Sequence, residues 1–297
     1  MNSGYRRVSM IAVALIALWC ASAKAQDDDV IKIDTSIVTL NVSVTGKGGH
    51  LPGFKASDFI VKDEGNPVKP EFFDAQGPIS IVFVVDISAS MKRNWGSLRE
   101  GLKTFLMRAR EGSDYSLVAF NGQAKLMVFS VNADGLWQSF NNLTPSGATA
   151  LYDGLLLGLR TLEHVPQRHA ALVLLSDGED NSSRAGLPQV EEDVAAHRTT
   201  IYPVGITIEQ WDPYFDYPGR RLLKQLAVAT GGKALFPRAT ANRICDVLDS
   251  INKDLRNQYS FSYYAPEKTP GWRRVQIELV QPLPQVKLRY QERYLLR

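Results

Sequence analysis

The chain has 297 residues, with 34 lysines and arginines against 31 aspartates and glutamates, and its two cysteines are Cys20 and Cys245. This near-neutral charge excludes a broad basic surface for nucleic acid, because binding requires clustered cations that release the counterions of the phosphates. If residues 1–25 are removed as argued below, only Cys245 remains, so no intramolecular disulfide forms and a hydrophobic core must stabilise the fold.

Residues 1–25 have the pattern of a secretory signal. Arg6 and Arg7 precede an apolar stretch of about 12 residues, and small residues ending at Ala25 follow it. The stretch is shorter than the roughly 20 residues that a membrane-spanning helix needs. Cleavage after Ala25 leaves 31 basic and 31 acidic side chains. We therefore expect an exported protein, periplasmic or secreted, without a transmembrane span after cleavage.

The two flanks of the remaining chain have the pattern of antiparallel β-structure. Residues 26–78 and residues 258–297 both alternate apolar and polar side chains between turns that contain Gly and Pro. Each flank supplies only about three strands, which is marginal for independent stability. We expect the two flanks to pair into one small antiparallel β-sandwich.

The middle of the chain, residues 79–257, alternates apolar strands with helices. In order, it contains the strand "ISIVFVVD", a helix from Lys92, the paired strands "YSLVAF" and "KLMVFSV", the helix "TALYDGLLLGLRTLEHV", the strand "AALVLLSDG", the helix "PQVEEDVAAHR", the strand "TTIYPVGIT", the helix "RRLLKQLAVATGG", the short strand "KALF" and the helix "ANRICDVLDSINKDLRNQ". This pattern predicts a doubly wound α/β domain with a mostly parallel sheet.

Polar residues follow the strand ends of this domain in a pattern that indicates a metal site. Asp86, Ser88 and Ser90 lie just past the first strand, where ligands collect in open α/β sheets. Alternate residues of an extended turn point the same way, so one carboxylate and two hydroxyls converge. Thr149 and Asp177 follow at the ends of later elements. Such hard oxygen donors suit Mg²⁺, Mn²⁺ or Ca²⁺.

The ordered set resembles the metal-ion-dependent adhesion site of von Willebrand factor type A domains, Asp-x-Ser-x-Ser, then Thr, then Asp. The resemblance covers residues 79–257, and the flanks look like those of exported bacterial, notably acidobacterial, proteins related to von Willebrand factor A. It implies a Rossmann-like binding domain without enzymatic activity. It also implies that Ser88, Ser90 and Thr149 ligate Mg²⁺, Mn²⁺ or Ca²⁺ directly or through water. Asp86 and Asp177 bind partly through water, and a partner's carboxylate completes the shell.

A loop rich in aromatic and acidic residues, "IEQWDPYFDYPG", follows the strand "TTIYPVGIT". Aromatic side chains are enriched among the residues that dominate binding energy at interfaces. We hypothesise that five rings flank the metal and select the protein partner: Trp95, Trp211, Tyr214, Phe215 and Tyr217. The alternative is that these rings only pack the loop against a helix.

Several other interpretations of the motif and of the protein's function remain open. Asp-x-Ser-x-Ser alone is also common in turns and helix caps. We interpret Asp153 as a complement to the helix dipole rather than a ligand. Asp180 and Asn181 are either outer-shell groups or loop residues, and the loop interpretation is favoured. The protein could be an assembly component of an envelope complex, in which case Asp86→Ala would alter oligomer size instead of heterologous binding. A phosphotransferase of the haloacid dehalogenase type needs a second carboxylate where Ser88 stands.

Overall fold

The structure is a computed structural model that describes residues 37–75, 78–109, 111–165, 169–206, 217–267 and 269–297. The predicted signal and most of the aromatic loop, residues 207–216, lie outside the described residues. All described residues belong to one compact unit, Ser36–Arg297. Within them, no helix combines the length and the hydropathy that crossing a bilayer requires.

Fourteen strands and six α-helices are present in the described part of the chain. The strands are β1 Ile37–Gly46, β2 Gly49–His50, β3 Phe59–Asp63, β4 Asn66–Val68, β5 Phe72–Asp74, β6 Ile79–Asp86, β7 Asp114–Phe120, β8 Ala124–Val131, β9 His169–Ser176, β10 Thr200–Gly205, β11 Gln258–Tyr264, β12 Gly271–Leu279, β13 Lys287–Arg289 and β14 Arg293–Leu296. The helices are α1 Trp95–Leu106, α2 Ala133–Asn141, α3 Leu151–Leu162, α4 Leu187–His197, α5 Pro218–Ala229 and α6 Ala241–Arg256.

The central sheet has the strand order β10-β9-β6-β7-β8. The first four strands are parallel and β8 is antiparallel at the edge. The middle strand, β6, is buried at all eight positions. It can be buried on both faces because its run from Ile79 to Val85 is apolar except for Ser80.

Helices cover both faces of this sheet. Odd-numbered residues of β6, such as Phe83, pack in a core with α1, α2 and α6. Even-numbered residues, such as Val84, pack in a second core with α3, α4 and α5. Successive side chains of a strand point to opposite faces, so one apolar strand contributes to both cores. The predicted doubly wound α/β architecture is confirmed.

The flanks form two antiparallel sheets that face each other. One has the order β13-β1-β11-β5, with β2 also paired to β1, and the other has the order β14-β12-β3-β4. Each sheet combines strands from both chain ends, with Leu40 opposite Phe261 and Val61 opposite Ile277. Phe59 of one sheet packs edge-on against Phe261 of the other, with ring centroids 4.9 Å apart. The predicted sandwich is therefore confirmed, whereas the domain boundaries stay a prediction.

The α/β domain and the sandwich are joined by a buried polar cluster around Asp254 of α6. Its carboxylate accepts hydrogen bonds from Tyr202 of β10 at 2.7 Å and from Ser43 of β1 at 2.9 Å. It also pairs with Arg289 of β13. Buried polar groups of this kind are costly when unpaired, so the cluster favours one arrangement of the two parts.

The structure differs from the prediction in three elements. Helix α2 was missed, because its nine residues are few and contain Gly135; Asn132 caps it by accepting the Gly135 N–H at 2.9 Å. The helix expected from Lys92 begins at Trp95, after the 3-10 turn Ala89–Arg93. The predicted strand "KALF" is reduced to a single bridge between Leu235 and Val204.

Candidate metal centre

Asp86, the last residue of β6, is a fully buried carboxylate. Its Oδ1 accepts the Ser88 backbone N–H and its Oδ2 accepts the Ser176 hydroxyl, both at 2.8 Å. Burial raises the pKa of Asp86 to about 6; the hydrogen bonds from Ser88 and Ser176 oppose this rise, and the negative charge of Asp177 adds to it. Asp86 thus carries a charge that its surroundings do not neutralise.

The hydroxyls of Ser88 and Ser90 lie beside this carboxylate. Ser88 precedes the 3-10 turn and is buried, whereas Ser90 lies within the turn and is exposed. Their Oγ atoms are 3.0 Å apart. The structure therefore brings together the first three residues of the predicted motif, with one oxygen donor accessible from solvent.

Asp177 directly follows β9, which is the neighbour of β6. Ser176 links the two strand ends, because its Oγ donates to Asp86 and accepts the Gly178 N–H at 3.0 Å. The Asp177 Oδ1 accepts the Glu179 N–H at 3.1 Å. Gly178 has a φ of +88°, and a Cβ there would lie 2.5 Å from the carbonyl oxygen of Gly219 in α5. Only glycine fits at this position, and the tight contact fixes the loop that carries Asp177.

Thr149 is held by the loop that follows Asp177. Its side chain and backbone are buried, with 4% of the residue exposed. The Thr149 N–H donates to the Asn181 side-chain oxygen at 2.9 Å. In return, the Thr149 carbonyl accepts the N–H groups of Asn181 and Ser182 at 2.9 and 3.0 Å. Asn181 thereby connects the second and third parts of the motif.

The segment before Thr149 is also bonded to the Asp86 loop. The Ala89 N–H donates to the Gly147 carbonyl at 3.0 Å, and the Ser146 N–H donates to the Ile87 carbonyl at 2.7 Å. The three loops that carry the predicted ligands are therefore tied to one another through their backbones.

A reciprocal clamp fixes the start of α3. Asp180 accepts the Leu151 N–H at 2.8 Å and the Ser183 hydroxyl at 2.5 Å. In the opposite direction, Asp153 accepts the N–H groups of Arg184 and Ala185 at 3.1 and 3.0 Å. From the sequence, Asp180 and Asn181 were favoured as loop residues over outer-shell groups, and Ser176 and Ser183 were missed. The polar run "SDGEDNSS" after an apolar strand was the available signal.

The centre lies at the point in the sheet where the order of the strands changes direction. The strand that follows β6 pairs on one side of it, whereas β9 pairs on the other. The crevice at such a switch point is the usual ligand site of open α/β sheets. Three hydroxyls and two carboxylates suit a hard divalent cation. In the described residues no group of three or more His, Cys, Asp or Glu has a metal-binding arrangement, as expected for a set with only two carboxylates.

Of the five predicted partner-binding residues, two are described. Trp95 begins α1 and is half-buried, and its ring stacks on Phe140 of α2 with centroids 5.0 Å apart. Tyr217 immediately precedes α5 and is also half-buried. Trp211, Tyr214 and Phe215 lie outside the described residues. The role of these rings in partner binding stays a prediction, and the Trp95 ring has an intramolecular packing contact.

Comparison with known proteins identifies the class. Residues 81–179 match the family model of the von Willebrand factor type A domain. A structure of a von Willebrand factor type A protein from Catenulispora acidiphila superimposes with a TM-score of 0.52 at 14% identity, covering 89% of this chain and 74% of that one. Residues 81–179 of the α/β domain thus match the von Willebrand factor type A domain, a module of protein interaction and adhesion. The resemblance found in the sequence is confirmed.

Two further relatives are more distant in length or shape. Inter-alpha-trypsin inhibitor heavy chain H3 of Bos taurus is 26% identical over 201 residues, which cover 52% of this chain and 22% of that protein. The match therefore spans about a fifth of that relative's length. Proximal thread matrix protein 1 from the mussel byssus, solved with a zinc-occupied MIDAS motif, is 19% identical with a TM-score of 0.48, covering 66% of this chain and 50% of that one.

Proposed function

We propose that this protein is an exported binding module in which a divalent cation captures an acidic side chain of a partner protein. The cation would be held by Asp86, Ser88, Ser90, Thr149 and Asp177. The observation that carries the proposal is the state of Asp86: it is fully buried, and no basic side chain of the described residues forms an ion pair with it. A buried carboxylate without a cation is costly, and a bound metal supplies the missing charge.

The composition of the donor set supports capture of an acidic partner. Two carboxylates and three neutral hydroxyls leave a divalent cation less neutralised than a site with three or four carboxylates would. An incoming Asp or Glu then gains attraction to the metal without strong repulsion from the site. Hard oxygen donors favour Mg²⁺, with Mn²⁺ and Ca²⁺ as the other candidates.

A binding role, rather than catalysis, is supported by the residues around the centre. Ser88 occupies the position at which a haloacid dehalogenase-type enzyme requires its second carboxylate. The sequence also contains no Gly-x-Ser-x-Gly elbow and no phosphate-binding Gly-rich loop with Lys. The amino-terminal pattern supports export to the periplasm or the medium.

Isothermal titration calorimetry tests the metal site. We expect the chelator-stripped protein to bind one Mg²⁺, Mn²⁺ or Ca²⁺ per chain, and we expect Ser88→Ala and Asp177→Ala to abolish this binding. Asp114→Asn is the matched control, because Asp114 begins β7 at the opposite end of the sheet and bonds to Ser80 at 2.6 Å. Equal binding by all variants would contradict the proposed ligands.

Capture of the partner is tested separately. Metal-loaded protein should retain a partner from the native envelope fraction, and Asp86→Ala or chelator should release it. If metal removal instead changes the size of the protein's own assemblies in the absence of any partner, the protein is an assembly component and the capture role is wrong.

A further inference from the structure

The turn after β6 places two cations next to the candidate metal centre. Ala89–Arg93 is a 3-10 turn, with hydrogen bonds from the Met91 N–H to the Ser88 carbonyl at 3.2 Å and from the Asn94 N–H to the Met91 carbonyl at 3.1 Å. In a 3-10 helix, side chains three residues apart lie on the same side. The sides of this turn can therefore be assigned from the sequence register.

Burial agrees with this three-residue repeat. Ser88, Met91 and Asn94 are buried and form the inner column of the turn. Ser90 and Arg93 form one exposed column, and Ala89 and Lys92 form the other. Arg93 thus lies on the same side as the accessible hydroxyl of Ser90, whereas Lys92 does not.

The two cations are available for a partner. Among the residues that the structure describes, neither Lys92 nor Arg93 forms an ion pair. In the loop after β9, Glu179 is an exposed carboxylate two residues after Asp177. A partner with a second negative charge would therefore be attracted towards the β6 turn and repelled from the loop after β9.

We propose that Arg93 is a specificity-determining residue that binds a second carboxylate of the partner, two residues from the carboxylate on the metal. The inference rests on the proposed function. Ser90 and Arg93 are three residues apart along a 3-10 turn, a rise of about 6 Å. Two residues of an extended chain span about 6.6 Å and point to the same side. The matched partner is thus an extended segment of the form acid-x-acid.

The chemistry of Arg93 suits this role. A guanidinium donates two parallel hydrogen bonds to one carboxylate, which adds geometric selectivity to the charge attraction. A second acid placed directly after the first would point to the opposite side of an extended chain. Spacing, and not only total charge, should therefore determine affinity.

Three blocked tripeptides, Glu-Ala-Ala, Glu-Ala-Glu and Glu-Glu-Ala, test this with the full protein in excess Mg²⁺. We expect wild type to bind Glu-Ala-Glu on the order of tenfold more tightly than Glu-Ala-Ala, the usual effect of a charge-assisted hydrogen bond. Glu-Glu-Ala has the same charge and should gain less. Arg93→Ala should abolish the preference, whereas the matched variant Lys92→Ala should retain it.

The outcomes separate this inference from the proposed function. If Glu-Ala-Ala binds in a metal-dependent way but Glu-Ala-Glu binds no more tightly, the role of Arg93 is wrong and the metal-dependent capture stands. Equal losses in Arg93→Ala and Lys92→Ala would also overturn it, because they indicate long-range charge attraction alone. Binding that is indifferent to chelator, or no binding of any peptide, would overturn both proposals.

Discussion

Asp63 in the sandwich and Asp86 in the α/β domain are both fully buried carboxylates at the end of a strand. Asp63 accepts hydrogen bonds from Tyr263 at 2.9 Å and Tyr294 at 2.8 Å, and it pairs with the Arg273 guanidinium at 2.9 Å. Among the described residues, Asp86 accepts hydrogen bonds from the backbone and side chain of Ser88 and from the Ser176 hydroxyl, and no basic side chain forms an ion pair with it.

The difference distinguishes a carboxylate that is neutralised within the fold from one that we propose binds a cation. Removing a carboxylate from water is expensive unless a nearby cation and hydrogen bonds compensate for the loss. The chain supplies that compensation to Asp63 from within. At Asp86 the described residues supply hydrogen bonds but no ion pair, and burial raises the pKa of Asp86 to about 6. The comparison leads to four predictions.

Removing the paired carboxylate should have the largest effect. Asp63→Ala removes the closer ion-pair partner of Arg273, which is 7% exposed and, among the described residues, keeps only a longer contact with the exposed Glu267 at 3.5 Å. It also removes the acceptor of two tyrosine hydroxyls. We expect the free energy of unfolding to fall by about 3–5 kcal/mol, measured by urea denaturation with circular dichroism. Glu278→Ala, which breaks the exposed pair with Lys62, is the control and should cost less than about 1 kcal/mol. Similar losses in the two variants would contradict the structural role.

The unpaired carboxylate should give the protein an unusual pH dependence. Because the pKa of Asp86 in the folded state is about 6 against an ordinary 3.8, the folded state binds this proton more tightly than the unfolded state. The stabilisation of the folded state by this bound proton is complete below about pH 4 and is lost as the pH rises through about 6. In chelator-stripped protein, we expect wild type to lose on the order of 3 kcal/mol relative to Asp86→Asn between pH 4 and pH 7.

Denaturation curves of both proteins across that range check this, since the difference between them cancels the other titrating groups. Excess Mg²⁺ should remove the loss, because a bound cation favours the ionised form. Parallel stability profiles for wild type and Asp86→Asn would show that the Asp86 charge is already compensated.

A bound metal ion should stabilise the fold, because it supplies the positive charge that would neutralise Asp86. At a free concentration one hundred times the dissociation constant, a ligand that binds only the folded state adds about 2.7 kcal/mol to the free energy of unfolding. We expect this gain for wild type and little of it for Thr149→Ala. Thr161→Ala is the control, because Thr161 bonds to the Leu157 carbonyl within α3 at 2.8 Å. A gain that survives in Thr149→Ala would remove Thr149 from the ligand set.

The smallest effect is expected where a side chain only positions a ligand. Asn181→Ala removes the acceptor of the Thr149 N–H, and we expect metal affinity to fall about tenfold, as is typical for groups that orient ligands. Asn181→Asp keeps the acceptor oxygen and should restore most of the affinity. Asn142→Ala, an exposed asparagine at the end of α2, should change nothing. Calorimetry with Mg²⁺ measures all three, and unchanged affinity in Asn181→Ala would exclude the positioning role.

The signal that predicts the candidate ligands is local, because Asp86, Ser88 and Ser90 lie at alternate positions after an apolar strand. The expected extended turn is wrong at Ser90, which lies in the 3-10 turn Ala89–Arg93. The sequence left Asn181 open between an outer-shell group and a loop residue, because its bond to Thr149 joins residues 32 positions apart. Helix α2 was missed for a related reason: a nine-residue helix is marginal by itself and depends on packing against the sheet.

The sequence by itself determined the strands, most of the helices and the order of the five candidate ligands, because apolar periodicity and turn residues act over short distances. Only the tertiary structure decided that β6 and β9 are neighbours, with Val85 opposite Leu175, and so placed Asp86 beside Asp177. It also decided which carboxylates are paired. Strand order and register depend on the packing of the whole core, so the contrast between Asp63 and Asp86 cannot be deduced from either residue's local sequence.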